Sequence, residues 1–365
     1  MQTLKDEKLY YIGGVVRDSI LGHKSFDIDI TYQGNAIEYC KSLEEKGVGE
    51  IIKINEPFGT VRMIIDGEEI DIASTRNEIY EKKGHLPTVT EIGCSLKSDV
   101  MRRDFTINAL AKSTLTDEII DYVGGLEDIN NKILKVLHEN SFIDDPTRII
   151  RGLKFSVRFG FKLEEKTEKL QKDYLNNINY DMSYKRVKKE LIETFNLNSQ
   201  KAYDEFFNQK IYKLISEKEI IPPKYNIEKL VNEHMPKHVW LVYLGWMNLE
   251  KLPFTKEEQK IINDYKLLIE SNILEDDYSI YKAFSGKELE AVLLYIITQQ
   301  NNKGIRYLEI KDIYININGN DLKSMGVAPS NRYSECFDYV LKYKLNNINM
   351  TKDDEINLAK KFFNL

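Results

Sequence analysis

Cysteine is scarce in this 365-residue chain: Cys40, Cys94 and Cys336 are odd in number, far apart and without a CxxC pair. That excludes a disulfide framework and a zinc ribbon, and the three read as buried thiols. Proline (8) and glycine (19) are too few for a collagen-like or long disordered chain, and 42% hydrophobic with 30% charged residues is the balance of an ordinary globular protein. No window approaches eighteen uninterrupted apolar residues, so no membrane-spanning helix is expected. The N-terminal MQTLKDEKLYYIGG carries acidic residues and no apolar stretch followed by a small-residue cleavage site, which predicts a cytoplasmic protein. Histidine offers little: His234 and His238 are four apart, but Pro236 between them breaks the helical face a metal pair needs, and no His is followed by Asp.

An excess of positive charge is also missing. The formal net charge is −6, which argues against non-specific coating of nucleic acid, so any nucleic acid must be met locally. The acidic surplus lies wholly in residues 1–160, with 21 basic and 27 acidic side chains against 31 of each in 161–365. Carboxylates for a metal are therefore sought in the N-terminal part. At about 150 residues per domain the length predicts two to three folding units.

Up to about residue 137 short β-branched runs (51–54, 61–66, 68–74) alternate with short helical stretches, and Asp66-Gly67 between two alternating runs is a hairpin signal. This predicts an α+β domain. After Asp144-Asp145-Pro146 the spacing turns helical and stays so to the C-terminus, with Pro222-Pro223 as a linker. No internal repeat is visible.

Four clusters carry chemistry. In the first, the apolar run Tyr10-Tyr11-Ile12 leads into Gly13-Gly14 and a helix closed by Gly22, which places glycine amides at a helix N-terminus, where a phosphate can approach. Asp27 and Asp29 follow, two apart on a strand, so both carboxylates share a face while Phe26, Ile28 and Ile30 point to the core. Two such carboxylates repel unless a cation lies between them, and magnesium, which takes oxygen ligands and keeps substrate phosphates in its shell, suits the pair. Taken singly, Gly-Gly is a tight turn and Asp-x-Asp a solvated strand face; together in one strand-turn-helix-strand unit they favour the metal-phosphate reading. A third carboxylate, Asp71, lies on the strand after the hairpin, where pairing of neighbouring strands can bring it beside them.

The second cluster, Arg102-Arg103-Asp104 in MRRDFTINAL, offers forked donors for phosphate oxygens and an acceptor for a sugar hydroxyl. The third, Asp121-Tyr122-Val123-Gly124-Gly125, says only loop by itself. In the fourth, Asp144 to Arg158, helical spacing puts Arg148, Arg151, Lys154 and Arg158 on one side and Ile149, Ile150, Leu153 and Val157 on another. Asp145 can accept and Arg148 can donate hydrogen bonds, the inventory for reading a base edge. Alone, the segment also fits a capped amphipathic helix with solvated arginines. The acid-free run Lys185-Arg186-Val187-Lys188-Lys189 can hold an RNA backbone or form a solvated helix face.

In this order, GGVVRD with DID, RRDFTINAL, DYVGGLED and DDPTR resemble the catalytic, ribose-recognition, hinge and nucleotide-reading motifs of the class II tRNA nucleotidyltransferase and bacterial poly(A) polymerase family of the DNA polymerase beta superfamily. The resemblance covers about residues 8–195, and residues 319–326 resemble the family's tail element. It implies an α+β fold, with a nucleotidyltransferase head (1–137) built on a mixed β-sheet, a helical neck for base recognition (138–222) and a helical body and tail for tRNA binding (223–365). It implies magnesium on Asp27 and Asp29, phosphate contacts at Gly14 and Arg17, with Gly13 in the same turn, and sugar contacts at Arg103 and Asp104. Asp145 and Arg148 would pair with the incoming base, with Arg151 and Lys154 close by. Asp144 stands where Glu is usual, Lys154 where Arg is usual, and Lys185 where an acid is frequent. The implied function is addition of CCA to the tRNA 3′ end from CTP and ATP. An A-adding or CC-adding enzyme, a poly(A) polymerase and a non-catalytic RNA-binding homologue remain as alternatives, and the loop that separates the subtypes falls between Arg76 and Val100. Oligomeric state is not legible.

Overall fold

The computed structural model describes residues 4–24 and 28–365. Asp27, a proposed metal ligand, and Phe26 lie outside the described residues. The chain divides into two units, one of residues 1–220 with 250–253, the other of 221–249 with 254–365.

The first unit is built on a seven-stranded mixed sheet in the order β3-β4-β5-β2-β1-β8-β9, with β1 at Leu9–Ile12, β2 at Ile28–Tyr32, β3 at Glu50–Asn55, β4 at Thr60–Ile65, β5 at Glu68–Ser74, β8 at Leu110–Ser113 and β9 at Ile119–Asp121. Between them, β6 (Arg76–Ile79) and β7 (Thr88–Ile92) form a separate antiparallel pair. The alternation read in the sequence sets the faces: Val61, Met63, Ile65, Ile70 and Ile72 are all buried, together with Leu9 and Ile30, against Cys40 and Leu43 of helix α2 (Ala36–Glu45). Asp66 and Gly67 both take positive φ, 54° and 82°, as a tight hairpin turn demands. The β2–β5 pairing is parallel and sets Asp29 directly beside Asp71.

Helix α1 (Gly14–Ile20) follows β1 at once, and α3 (Leu96–Met101) and α4 (Gly125–Asn130) flank the later strands. The unit continues through α5 (Ser141–Asp144), α6 (Thr147–Phe159), α7 (Glu165–Asn176), α8 (Tyr184–Phe195) and α9 (Gln200–Asn208). One detail departs from an all-helical segment here: Lys162–Leu163 pairs in parallel with Ile133–Leu134, a two-residue bridge that ties the chain after α6 back to the sheet domain. Gly152 lets α6 sit against Phe105, whose ring would lie 3.1 Å from an added Cβ.

In the second unit all described elements are helical. The helix Leu289–Gln299 is buried from Glu290 to Ile297, too apolar all round to be a surface helix. A separate cluster of Ile317, Leu322, Cys336, Val340 and Ala359 joins the last helices. Cys40, Cys94 and Cys336 are free and buried, and burial pushes the Cys40 thiol up to about 12. Among the described residues no helix is long and apolar enough to cross a membrane.

The segment Asp121–Gly125 is more than a loop. Asp121 accepts hydrogen bonds from four successive amides, Val123, Gly124, Gly125 and Leu126, at 2.9–3.0 Å, closing the start of α4. Gly125 must lack a side chain, because a Cβ would stand 2.4 Å from the Thr106 carbonyl oxygen. Burial alone would raise the Asp121 carboxyl, but the four amides outweigh it and hold it below the usual aspartate range. We expect Asp121→Ala to cost about 1–2 kcal/mol, the size of a strong helix cap, and to lower the thermal midpoint by a few degrees. A carboxyl held down in the fold stabilises above its unfolded pKa and loses that contribution as pH falls through the folded value. The gap between wild type and Asp121→Ala in urea unfolding should therefore be full at neutral pH and close in acid below the ordinary aspartate range.

Candidate active site

A cleft of about 790 Å³ in the first unit lies where the β1–α1 turn, the 102–108 segment, the β6–β7 pair, α6 and α8 converge. Nine cationic and six acidic side chains line it. The acidic balance of the N-terminal half therefore does not extend to its own cleft, and an anion is met there by a local excess of positive charge.

Gly13 takes φ 71° and ψ −123° as the cap of α1, and a Cβ on it would lie 3.0 Å from Arg103 Nη1. Its amide donates to the Leu110 carbonyl at 3.2 Å, so it serves the strand junction rather than a phosphate. The helix leaves its own first-turn amides, beginning with Gly14, for an anion. Arg17, expected to touch phosphate, is 4% exposed. Its guanidinium forks onto Asp18 at 2.8 and 2.7 Å, donates to Asn108 Oδ1, and packs over the Phe155 and Phe159 rings. Burial pushes its pKa down and Asp18 opposes that. As placed, Arg17 lines the cleft with its guanidinium engaged by Asp18 and Asn108.

Asp29 lines the cleft and is exposed, so its carboxylate can meet a cation with little desolvation. Asp71 is its register partner, as strand pairing allowed. Its oxygens, however, accept from Arg62 Nε and Nη2 at 2.8 and 2.7 Å, and it lines a separate hollow with Lys53, Asn55, Thr60 and Arg62. The fork occupies one lone pair on each Asp71 oxygen. Among the described residues no group of three or more His, Cys, Asp or Glu is set to hold a metal. The chemistry of the donor set, exposed carboxylate oxygen beside a phosphate-sized basic cleft, fits a hard oxygen-seeking cation.

Asp104 sits at the back of the cleft, 8% exposed. It accepts from the Phe105 amide at 2.8 Å, Asn108 Nδ2 at 3.0 Å, and Arg151 Nε and Nη2 at 2.8 and 2.7 Å. Burial would raise its pKa, but Arg151, Asn108 and Arg148 outweigh it and hold the carboxyl far below its ordinary value. Arg103 reaches Asp99 at 3.2 Å, while its Nε is buried and finds no acceptor among the described residues.

Asp99 was not singled out from sequence, yet it is fully buried and gathers the Arg76 amide, Arg102 and Arg103. Glu78 joins Arg76 and Arg102 to the same network at 2.6 and 3.3 Å. The i,i+3 and i,i+4 spacing of Asp99 on α3 to Arg102 and Arg103 just past its C-terminal end was the available signal.

Helix α6 bears the predicted basic and apolar sides, but of the basic side only Arg158 is exposed, and Arg148, Arg151 and Lys154 are buried or half-buried. Arg148 is 4% exposed and donates to Ser141 Oγ at 2.6 Å, the Arg102 carbonyl at 3.0 Å and Tyr80 Oη at 3.3 Å. Arg151 also meets Glu190 at 3.3 Å, Lys154 meets Glu190 and Glu193 at 2.8 and 2.5 Å, and Arg158 meets Asp18 at 3.4 Å. Asp145 caps Thr147 through Oδ1 and receives Arg186 Nη2 on Oδ2 at 2.5 Å. Helix α8 thus faces α6 with Arg186, Glu190 and Glu193, none placed in the site from sequence. The run 185–189 is not a uniform basic face: Val187 is buried, Lys188 donates to the Pro253 carbonyl at 2.7 Å, and Arg186 turns into the cleft.

Residues 9–135 match the family described as the Poly A polymerase head domain. An A-adding tRNA nucleotidyltransferase of Geobacter sulfurreducens is 31% identical over 96% of this chain and 44% of its own length. One of Halalkalibacterium halodurans is 27% identical over 98% of this chain and 89% of its own. The chain thus spans less than half of the Geobacter relative. A solved structure of a CCA-adding enzyme in an apo form superposes with a TM-score of 0.81 at 26% identity, covering 98% of this chain and 92% of that one. With the motif order and the cleft they build, these similarities identify the chain as a member of the class II tRNA nucleotidyltransferase family, carrying its poly(A) polymerase head domain.

Proposed function

We propose that this chain is an A-adding tRNA nucleotidyltransferase, transferring AMP from ATP to a tRNA ending in CC. The observation that carries the choice of product is that the two relatives aligned along 96% and 98% of the chain are both A-adding. The likeness to the CCA-adding structure favours the second reading, addition of the whole CCA. In either case residues 1–137 would perform transfer, 138–222 would read the base and 223–365 would hold tRNA, in the cytoplasm.

The reaction joins the RNA 3′-hydroxyl to the α-phosphate and releases pyrophosphate, so the protein works by positioning and charge neutralisation. Magnesium on Asp27 and Asp29 would lower the hydroxyl's pKa and offset triphosphate charge. The first-turn amides of α1 and Arg103 Nε suit phosphate or sugar oxygens, while Asp104 and Arg151 back the sugar. Asp145 accepting and Arg148 donating match a ring nitrogen beside an exocyclic amine, the pattern shared by adenine and cytosine and reversed in uracil and guanine.

The test is incubation with tRNA ending at the discriminator base, at C or at CC, with CTP and ATP separately and together. One A added only to the CC end supports the proposal, and growth by CCA from the discriminator supports the second reading. Asp29→Ala should lower AMP incorporation about a thousandfold or more, several kcal/mol of lost charge stabilisation, and leave tRNA affinity in filter binding within about twofold, the precision of such an assay. Near-normal turnover would remove Asp29 from the metal. Arg148→Ala should cut discrimination against UTP and GTP by roughly one to two decades, the worth of a bidentate base contact. Uniform loss of activity with preference unchanged would leave Arg148 a purely structural role.

A further inference from the structure

Adenine and cytosine present the same donor and acceptor to Asp145 and Arg148, so hydrogen-bond pattern cannot separate them. What differs is reach: the larger purine carries that edge farther from its sugar. An enzyme that takes one and refuses the other must hold the reading pair at one distance from the sugar site. The question is what holds Asp145.

Oδ1 of Asp145 is committed to the Thr147 amide and hydroxyl at 3.1 and 2.6 Å. Oδ2 is the oxygen left to face a base, and it is held by Arg186 Nη2 at 2.5 Å. The other arm of the same guanidinium, Nη1, donates to the His85 carbonyl at 3.1 Å. His85 lies in the connection between β6 and β7, and that connection is itself anchored: the Gly84 amide donates to the Asp144 carbonyl at 3.0 Å and the Ser183 amide to the Gly84 carbonyl at 2.9 Å. Gly84 takes φ 74°, and a Cβ there would come within 2.9 Å of Met182 Cβ, so the approach needs glycine. From the same connection Tyr80 Oη accepts from Arg148 Nη2 at 3.3 Å. Both members of the reading pair are thus tied to one loop, and Asp145 only through Arg186.

We propose that Arg186 is a specificity-determining positioning residue: by bridging Asp145 Oδ2 to the His85 carbonyl it sets the height of the base-reading acceptor, so that one base size is accepted. The inference rests on Asp145 and Arg148 reading the base, and not on which base is added. A planar guanidinium suits the task because its two arms satisfy both partners in fixed geometry, which an ammonium cannot do.

The experiment measures binding of ATP and of CTP, and kcat/KM for each on tRNA ending in CC, for wild type, Arg186→Ala and Arg186→Lys, with unfolding temperatures alongside. Arg186→Ala should shift the ATP-to-CTP ratio by about tenfold or more, the scale on which enzymes discriminate by size, with the change in KM and in binding rather than in kcat. Arg186→Lys, which keeps the charge and loses the second arm, should fall between. A ratio unchanged in both variants, with both nucleotides weakened alike, overturns the proposal. If the alanine variant does not fold, the lysine variant decides alone. A wild type that favours CTP over ATP refutes the A-adding reading but leaves the Arg186 comparison standing, because the ratio is still read against the variants; a wild type that takes both bases alike overturns this inference as well. A wild type that binds neither nucleotide overturns the base-reading assignment and this inference with it.

Discussion

The buried pairing of Asp104 with Arg151 is the interaction on which the rest of the cleft depends. It joins residues 47 apart in sequence, one between α3 and β8 and one on α6, and closes at 2.7 and 2.8 Å. Removing a charge from water costs several kcal/mol, and only complete hydrogen bonding offsets it. Asp104 receives that in full from Arg151, Asn108 and the Phe105 amide, and Asn108 is in turn held by Arg17 from 91 residues away. Through Asn108 and Arg17 this carboxylate thereby ties α6 to the strand-turn-helix-strand unit that carries Gly14 and Asp29. Loss of Arg151 would leave the buried Asp104 carboxylate with only the Phe105 amide and Asn108 among these partners.

The same balance runs through the whole cleft. Arg102 and Arg103 are oriented by Asp99, Arg151 and Lys154 by Glu190, and Arg186 by Asp145. Cations aimed in advance by carboxylates need little reorganisation when a polyphosphate arrives, and preorganised charge is what a phosphoryl-transfer site requires. The surplus of cations over acids in the lining leaves attraction for an anion even though the chain as a whole is acidic. In the proposed reading specificity and charge fall to different groups: Arg103 and the α1 amides would meet oxygens common to every nucleotide, and Asp145 and Arg148 would meet the base edge.

Much of this was legible along the chain because it depends on near neighbours. The Gly13-Gly14 turn, the Asp66-Gly67 hairpin, the alternation that buries Val61, Met63, Ile70 and Ile72, and the two-sided helix 147–159 all follow from periodicity and turn chemistry, and the order of the motifs carried the family. The pairing of Asp71 with Arg62, the closure of Asp121 on four amides and the inward turn of Arg186 were not legible. A local pattern states that a side chain is charged and which face of its element it occupies; it does not state whether that face meets water, a ligand or a counter-ion.

The amino-acid sequence by itself determined the element types, the mixed sheet followed by helices, the family and the set of residues able to do the chemistry, since these rest on spacings of two to four residues and on motif content. Only the tertiary structure decided which of those residues stand open to a substrate and which are spent on holding others. Arg17 and Arg103 illustrate the division. Both are arginines beside an aspartate, yet one is forked onto its neighbour and packed over two rings, while the other keeps a buried donor without a partner among the described residues. The reason is that a buried charge takes whatever partner the packing supplies, and that partner comes from elements far away in the chain.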